Sequence, residues 1–397
     1  MPHPVVAEVI AIGDELTSGF RLDTNTQWLS RQLEELGLHV GFHSTVGDDL
    51  ASIEQVIDVA RNRADVIVAT GGLGPTADDL TRHGIKNVAN VELQPDLNIL
   101  QHIEKMFASR GREMPSNNRI QAMFPAGAII VPNPEGTAPG IEFRFSRNPA
   151  EGHCTMFALP GVPAEMKQMW QQSVEPRLRQ SFDLKLTTHH HLLHCFGTGE
   201  SAIETMLSNM IERGRDPLVG ITASAATISL RLSTKAESVE ACQLKMEATL
   251  VEIKQTLGDL VYGENGQQLE DAVVQKQRAK NQTVYIVDDG LHGEVARRLS
   301  MADPDRTIFA GGTIGHQNQS IEERLKPFLP LDQQTMLVGI GPIDRHEETV
   351  KAGESYFDVA VYSLHDFARH NLRYSGHSSW REERAVKDVL NLIRLHD

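Results

Sequence analysis

Residues 5 to 12, VVAEVIAI, form an apolar run interrupted only by Glu8, and the run stops at Gly13-Asp14-Glu15. A strand buried on both faces reads this way, and a loop is expected after it. From Thr24 the apolar positions Trp28, Leu29, Leu33 and Leu36 recur at helical spacing and end at Gly37, a C-cap signal. A strand follows over Leu38 to Thr45. Then comes a helix around Ile53 to Arg63, with Ile53, Val56, Ile57 and Ala60 on one face, and a strand over Asp65 to Ala69. Strand, helix, strand, helix, strand predicts a parallel sheet covered by helices, with ligands bound outside the carboxyl ends of the strands. Asp14, Asp48 and the segment ATGGLGPTADDLT (69–81) all fall at those ends.

The pattern continues through a helical stretch at 95–110, a strand over Thr155 to Ala158, the turn LPGVPAEM, and a helix from Pro163 to about Arg179. At His189 the texture changes to strand, helix, hairpin and helix, a small α+β module that ends near Leu257. YGENGQQ reads as a linker turn, and an α/β-like region fills 268–397. A chain of 397 residues suits two or three domains. The boundaries expected are 1–180, 181–264 and 265–397.

Composition narrows the partners. A formal net charge of -15 without a lysine or arginine run argues against a phosphate-backbone surface, so no nucleic acid is expected. No apolar stretch approaches the roughly 20 residues of a membrane span, so no membrane partner is expected either. The N-terminus lacks the pattern of a signal peptide, and the expected location is cytoplasmic. Cys154, Cys195 and Cys242 are odd in number and far apart, which fits buried thiols rather than a disulfide framework. His189, His190, His191 and His194 alternate faces in a strand and read as surface residues. Met206, Met210 and Met246 read as core filler.

Candidate chemistry begins with segment 69–81. Gly71, Gly72 and Gly74 would let backbone N–H groups approach a ligand closely, and a following helix start favours an anion, so phosphate is the natural guest. The plainer reading of Asp78 and Asp79 is an N-cap and a first-turn acid at that helix. However, Asp14-Glu15 and Asp48-Asp49 converge on the same sheet edge. Carboxylates and phosphate share a site only through a cation. A hard divalent ion such as Mg2+ resolves the conflict and would polarise phosphorus for attack by water.

The blocks IAIGDELTSGFRLDTNTQWLSRQL, TVGDD, ATGGLGPTADDLT, VPNPEGTAPG and LPGVPAEM resemble, in order, the N-terminal domain of the CinA family, related to the MoaB and MogA molybdopterin-binding proteins. The resemblance runs on through CFGTGESAIE. It implies an α/β fold with a MoaB/MogA-like three-layer N-terminal domain, a small α+β central module and an α/β C-terminal domain of CinA type. The activity implied for the first domain is metal-dependent hydrolysis of a nucleoside diphosphate-sugar such as ADP-ribose. By motif position, Asp14, Asp48 and Asp79 would be the acidic catalytic and metal-binding centre. Gly71, Gly72, Gly74 and Thr76 would hold phosphate, while Asn25, Asn133, Gly136 and Thr137 would line the pocket. The expected cofactor is a divalent metal ion, Mg2+ or a transition metal, alone or with a monovalent cation. The expected partners are a nucleotide or pterin ligand and, as a homodimer, a second copy of the chain.

The family's C-terminal domain is a nicotinamide mononucleotide deamidase with a serine nucleophile at a strand-to-helix elbow. Here the corresponding stretch is TVYIVDDGLHG before EVARRL, which puts Asp289 at the serine's place. A carboxylate is not a hydroxyl activated for acyl transfer, and it would face the oxyanion donors with a resident charge, so the deamidase site is expected to be lost. In GGTIGHQNQS, His316 and Ser320 stand where the family shows tyrosine and lysine. Three rivals to the hydrolase reading stand beside it: a non-catalytic binder of molybdopterin or nucleotide, a scaffold built on oligomer contacts, and a retained amidohydrolase.

Overall fold

The computed structural model describes residues 5–147, 152–212, 214–224, 226–315, 320–329, 334–343, 354–363, 367–375 and 380–396; His316 lies outside them. The chain divides into two units, Met1–His189 with Lys235–Cys242, and His190–Thr234 with Gln243–Asp397. In chain order the first unit opens with β1 (Val6–Ile12), α1 (Asp14–Thr17), α2 (Thr24–Glu35), β2 (His39–Val46), α3 (Leu50–Arg63), β3 (Val66–Thr70) and α4 (Thr81–Ala89). It continues with β4 (Leu93–Pro95), α5 (Leu97–Ser109), β5 (Met123–Pro125), β6 (Ile129–Val131), β7 (Gly140–Ser146), β8 (His153–Leu159), α6 (Pro163–Met169) and α7 (Glu175–Phe182).

Six strands form the main sheet in the order β2-β1-β3-β8-β7-β6. The first four are parallel, as the sequence pattern predicts, but β7 runs antiparallel to β8 and β6 antiparallel to β7, so the sheet is mixed. Alternation along each strand explains the continuous apolar runs. Ala7 and Val9 of β1, Val66 and Val68 of β3, and Phe157 and Leu159 of β8 pack with Leu29, Leu33 and Trp170. Their neighbours Ile10, Ile67, Ala69, Met156 and Ala158 pack on the opposite face with Ile53, Ile57 and Ile85. A period of two thus fills two cores at once.

The exception in β1 is Glu8, fully buried. Its carboxylate accepts from Arg63 Nε at 2.8 Å, Arg63 Nη2 at 2.6 Å and Ser44 Oγ at 2.7 Å. The ion pair lets a charge sit in the sheet face without being left unpaired.

Downstream lie β9 (Thr187–Cys195), α8 (Glu200–Met206), β10 (Leu218–Ser224), β11 (Thr227–Ala236), α9 (Val239–Leu257) and β12 (Val261–Glu264), whose strands form a sheet ordered β10-β11-β9-β12. Then come α10 (Leu269–Ala279), β13 (Thr283–Asp288), α11 (Glu294–Ala302), β14 (Phe309–Ile314), α12 (Ile321–Leu325), β15 (Thr335–Ile340), β16 (Glu354–Tyr362), β17 (Phe367–Ser375) and α13 (Arg381–Leu395). This last sheet is ordered β14-β13-β15-β16-β17. Among the described residues no helix is long and apolar enough to cross a membrane.

Three smaller expectations meet the structure here. All three cysteines are free and buried, and burial pushes the Cys154 and Cys195 thiols up to about 12. The histidines of β9 are half-buried rather than surface residues: His191 Nε2 meets Glu264 at 2.6 Å, and His194 Nδ1 meets Ser229 Oγ at 3.0 Å. Met210 and Met246 are buried, but Met206 is exposed.

Replacing Arg63 with methionine leaves Glu8 buried and uncompensated. Chemical denaturation should show a loss of about 2 kcal/mol, less than for a fully enclosed pair because Arg63 keeps solvent access. The double variant Glu8→Gln/Arg63→Met should recover most of that loss; no recovery would remove the ion pair from the account.

Candidate functional site

Strand order reverses beside β1, with β2 on one flank and β3 on the other, and at such a switch point the loops that leave the strand ends diverge and open a crevice. The crevice is present. It is a cleft of about 570 Å³ lined by Gly13 and Glu15 after β1, Asp48 after β2, Gly71 to Gly74 after β3, and Pro160 to Pro163 after β8.

The loop after β3 is shaped by one threonine. Thr81 Oγ1 donates to the Gly71 carbonyl at 2.8 Å, and the Thr81 N–H donates to the Gly72 carbonyl at 3.1 Å. In a trans peptide the N–H points opposite to the C=O. Both carbonyls are turned to Thr81, so the N–H groups of Gly72 and Leu73 point away from it. Both residues line the cleft, and among the described residues neither N–H meets an acceptor. Two adjacent N–H groups of this kind make an anion-binding concavity.

Below them lies Arg82, fully buried, donating from Nη2 to the Leu73 carbonyl at 2.6 Å and from Nη1 to the Gly74 carbonyl at 3.3 Å. Its Nε has no partner among the described residues. Burial pulls the guanidinium down to about 10, opposed by the Asp79 charge, so it remains a cation at neutral pH beneath the loop.

The glycines are required for a reason other than ligand approach. Gly71 and Gly72 have φ of 108° and 64°, and a Cβ on Gly71 would overlap the Ile12 carbonyl oxygen, while one on Gly72 would overlap Thr81 Oγ1. A Cβ on Gly74 would meet the Asp79 carboxylate. Protein atoms occupy all three spaces. The missing side chains therefore serve the loop's own packing, and the ligand space lies on the N–H side.

Asp78 and Asp79 precede the helix rather than start it, since α4 begins at Thr81 with Leu80 at the N-cap and no side-chain cap. Asp79 instead accepts from the N–H groups of Gly74 at 2.7 Å and Thr76 at 2.8 Å and from the Thr76 hydroxyl. It is a brace for the loop. Thr76 is part of that brace, exposed and outside the cleft lining.

Asp14 and Asp48 hold each other's backbone: Asp14 N–H donates to Asp48 Oδ2 and Asp48 N–H to Asp14 Oδ1, both at 3.0 Å. This fixes the loops after β1 and β2 together. Asp48 faces the cleft, while Asp14 lines the adjoining hollow with Glu15 and Phe20. The Asp48 carboxyl is raised above the usual range by burial and by the charges of Asp14, Asp78 and Glu15, with the Asp14 N–H opposing. Asp78, held by the Thr76 hydroxyl, is lowered and stays ionised.

Of the other expected lining residues, Asn25 and Thr137 are in place. Asn25 Nδ2 bonds the Gly161 carbonyl at 2.9 Å and Thr70 Oγ1 at 3.3 Å, joining α2 to the turn after β8. Asn133 and Gly136 are not in the lining. Asn133 is buried, donating to the Ala138 carbonyl at 2.9 Å and Glu165 Oε2 at 2.8 Å while accepting from the Gly136 N–H at 2.9 Å. It positions Glu165, which does line the cleft. Thr81, Arg82 and Glu165 escaped the sequence reading. Thr81 and Arg82 directly follow the acidic pair and read as a solvated first turn.

Asp14, Asp48 and Asp79 do not make a ready metal cage, and no group of three or more His, Cys, Asp or Glu side chains arranged for a metal occurs among the described residues. The donor set does suit a cation shared with a ligand. Glu15, Asp48 and Asp78 are carboxylates at one cleft, and the repulsion that adds to burial in raising Asp48 is relieved by positive charge.

In the last domain the elbow after β13 takes a different form. The Asp288 carboxylate accepts from the N–H groups of Gly290 at 2.9 Å, Leu291 at 2.7 Å and Gly293 at 2.7 Å. Asp289, nearly buried, forms a two-pronged ion pair with Arg324 at 2.8 and 3.0 Å. Ser320 is the N-cap of α12.

The first domain is a mixed α/β sheet with a glycine loop and acidic rim at its switch point, and residues 8–180 match the family described as a probable molybdopterin binding domain. Residues 190–263 match the damage-inducible protein CinA KH domain. The chain belongs to the CinA family of competence-damage inducible proteins. A CinA-like protein of Gloeothece citriformis is 37% identical, over 79% of this chain and 74% of its own length. A putative competence-damage inducible protein of Oceanobacillus iheyensis is 34% identical, over 81% and 75%. One of Caldicellulosiruptor bescii is 31% identical over 98% of each chain.

Two substitutions separate loop shape from fold. Gly72→Val should lower Tm sharply, because its Cβ has no room beside Thr81 and its φ is left-handed. Thr81→Val keeps the volume but frees the Gly71 carbonyl. A loss of about 1 kcal/mol in stability is expected, with a larger relative loss of affinity for inorganic phosphate by calorimetry. Unchanged affinity in folded Thr81→Val would show that the loop's N–H orientation does not matter to binding.

Proposed function

We propose that the first domain binds a nucleoside diphosphate-sugar, with ADP-ribose as the type substrate, and hydrolyses its diphosphate. The observation that carries this reading is the pairing of the outward N–H groups of Gly72 and Leu73, over buried Arg82, with the carboxylates Glu15, Asp48 and Asp78 in the same cleft. Donors for phosphate oxygens and a base for water face one volume.

The chain's own residues divide the work. The Gly72 and Leu73 N–H groups bind a phosphate oxygen and stabilise the charge that develops there, with Arg82 adding positive potential from below. Asp48, raised by burial and then by its acidic neighbours, is the carboxylate suited to take the proton of the attacking water. Asp14 orients Asp48, and Asp79 braces the loop. A divalent ion held by Asp48 and Asp78 together with the ligand's phosphate oxygens would supply Lewis-acid polarisation. Water adds across the P–O–P bridge, giving AMP and ribose 5-phosphate. A binder of nucleotide or pterin without turnover would use the same loop, and product analysis distinguishes the two.

The experiment is ADP-ribose turnover with and without Mg2+. Activity should vanish with chelator and fall at least tenfold, about 1.4 kcal/mol of barrier, in Asp48→Asn. Asp48→Asn should also raise Tm, since it removes the like-charge contacts with Asp14, Asp78 and Glu15 while its amide oxygen can keep the Asp14 N–H. The sign follows from linkage: a carboxyl raised in the folded state is destabilising above its pKa, so neutralising it stabilises at pH 7. Chelator-resistant turnover, or full turnover by Asp48→Asn, refutes this assignment.

For the last domain we infer the absence of nicotinamide mononucleotide deamidation. Asp288 already fills the N–H groups of the elbow, and Asp289 is committed to Arg324. Purified protein should release no ammonia from nicotinamide mononucleotide, and Asp289→Ser alone should not restore release. Enzyme-dependent ammonia production surviving repurification would reinstate the amidohydrolase.

A further inference from the structure

A smaller hollow of about 180 Å³ opens beside the cleft and shares Thr24, Asn25 and Pro163 with it. Its distinctive residues are Trp28 and Arg31 of α2 and Lys167 of α6. Thr24, Trp28 and Arg31 lie on one face of α2 by helical spacing. Lys167 Nζ stands 5.6 Å from the centre of the Trp28 ring, and Trp28 packs edge-on against buried Trp170 with ring centres 6.1 Å apart. The floor of the hollow is thereby fixed to the core.

The charge here contrasts with the rest of the site. The main cleft is lined by Glu15, Asp23, Asp48, Asp78, Asp79 and Glu165, with Arg21 as its cation. In the hollow, Arg31 and Lys167 both lack a carboxylate partner among the described residues, in a chain of formal net charge -15. Stacking on Trp28 accounts for Lys167 at a surface-site worth of about 0.5–1 kcal/mol but leaves Arg31 without a role. Arg31 and Lys167 are both exposed, and two cations lining one hollow raise its positive potential, which favours an anion there. The hollow is well below the roughly 300 Å³ of a whole-ligand site, so its occupant is one group of a ligand seated mainly next door.

We propose that this hollow is an anion subsite for a phosphomonoester carried by the same ligand, beyond the phosphate held at the Gly72 loop. The proposal rests on the reading of the main cleft as a nucleotide site. It narrows the substrate class to nucleotides with a second, separate phosphate. Arg31 offers its planar fork to two phosphate oxygens, and Lys167 adds a point charge over the ring of Trp28.

Calorimetry on the full chain tests it with adenosine 5′-monophosphate, adenosine 2′,5′-bisphosphate, adenosine 3′,5′-bisphosphate and the uncleavable α,β-methylene analogue of ADP-ribose. At least one bisphosphate should bind the wild type tenfold or more tightly than the monophosphate. That advantage should disappear in Arg31→Gln/Lys167→Gln, while affinity for the methylene analogue stays within twofold and Tm falls by no more than about 4 °C, the share of the lost Lys167–Trp28 contact. Arg31→Lys/Lys167→Arg should recover part of the advantage. Equal affinity for all the adenosine phosphates, or an advantage that survives in the double glutamine variant, overturns the subsite. A bisphosphate advantage without binding of the methylene analogue would refute the diphosphate reading of the cleft and leave the subsite standing. No nucleotide binding at all would remove both.

Discussion

The first domain depends on how closely the ends of β1 and β3 approach each other. At Gly71 the backbone passes the Ile12 carbonyl so tightly that no Cβ fits, and the left-handed φ at Gly71 and Gly72 turns the chain back toward α4. Thr81 can then reach both preceding carbonyls. Everything else in the cleft follows from that clamp. The freed N–H groups face outward, Arg82 comes to lie beneath the carbonyls of Leu73 and Gly74, and Asp79 is carried to where it can brace Gly74 and Thr76. A loop of small residues would be floppy on composition alone. Here three side chains from α4 and its approach hold it in one shape before any ligand arrives, so little ordering entropy remains to be lost on binding.

The same chain builds a second strand-to-helix elbow, after β13, and settles its electrostatics the other way. In the first domain the outward N–H groups are left open and the nearby carboxylates stand across the cleft. At β13 the carboxylate of Asp288 turns back onto the N–H groups of Gly290, Leu291 and Gly293 and satisfies them internally. Asp289 beside it is neutralised by Arg324. An elbow with satisfied donors and paired charge is a structural joint, whereas one with open donors can accept an anion. The difference lies in which residue supplies the anion, the protein or the ligand.

The sequence made the parallel half of the main sheet legible because β1, β3 and β8 fill cores on both faces and so appear as nearly continuous apolar runs. It hid β6 and β7 because proline and glycine break QAMFPAGAIIVPNPEGTAPGIEF into pieces too short to show a period. The location of the site was legible for the same topological reason, as acids and glycines at strand ends must meet at one edge. Individual roles were not. Asn133 and Asp79 carry side chains fit for a ligand, yet each directs its hydrogen bonds to neighbouring protein groups, backbone and side chain, a choice fixed by loop geometry that spacing does not encode. Thr81 and Arg82 illustrate the converse, since nothing in a threonine and an arginine after two aspartates distinguishes a buried clamp from a solvated helix start.

The acidic rim is best understood as a charge imbalance that the fold maintains rather than relieves. Asp14 and Asp48 could have repelled each other's loops apart, but each carboxylate instead accepts the other residue's backbone N–H. That exchange pins the carboxylates close together and keeps Asp48 within the influence of Asp78 and Glu15. Like charge is thus held together at the cleft, while two nearby cations are placed out of reach, with Arg82 sealed under the loop and Arg63 committed to Glu8. Had Arg82 been exposed in the cleft, it would have paired with Asp48 or Asp78 and quenched the site. Burying it keeps its field and gives its hydrogen bonds to the loop carbonyls, so the acids of the cleft are left without it as a partner.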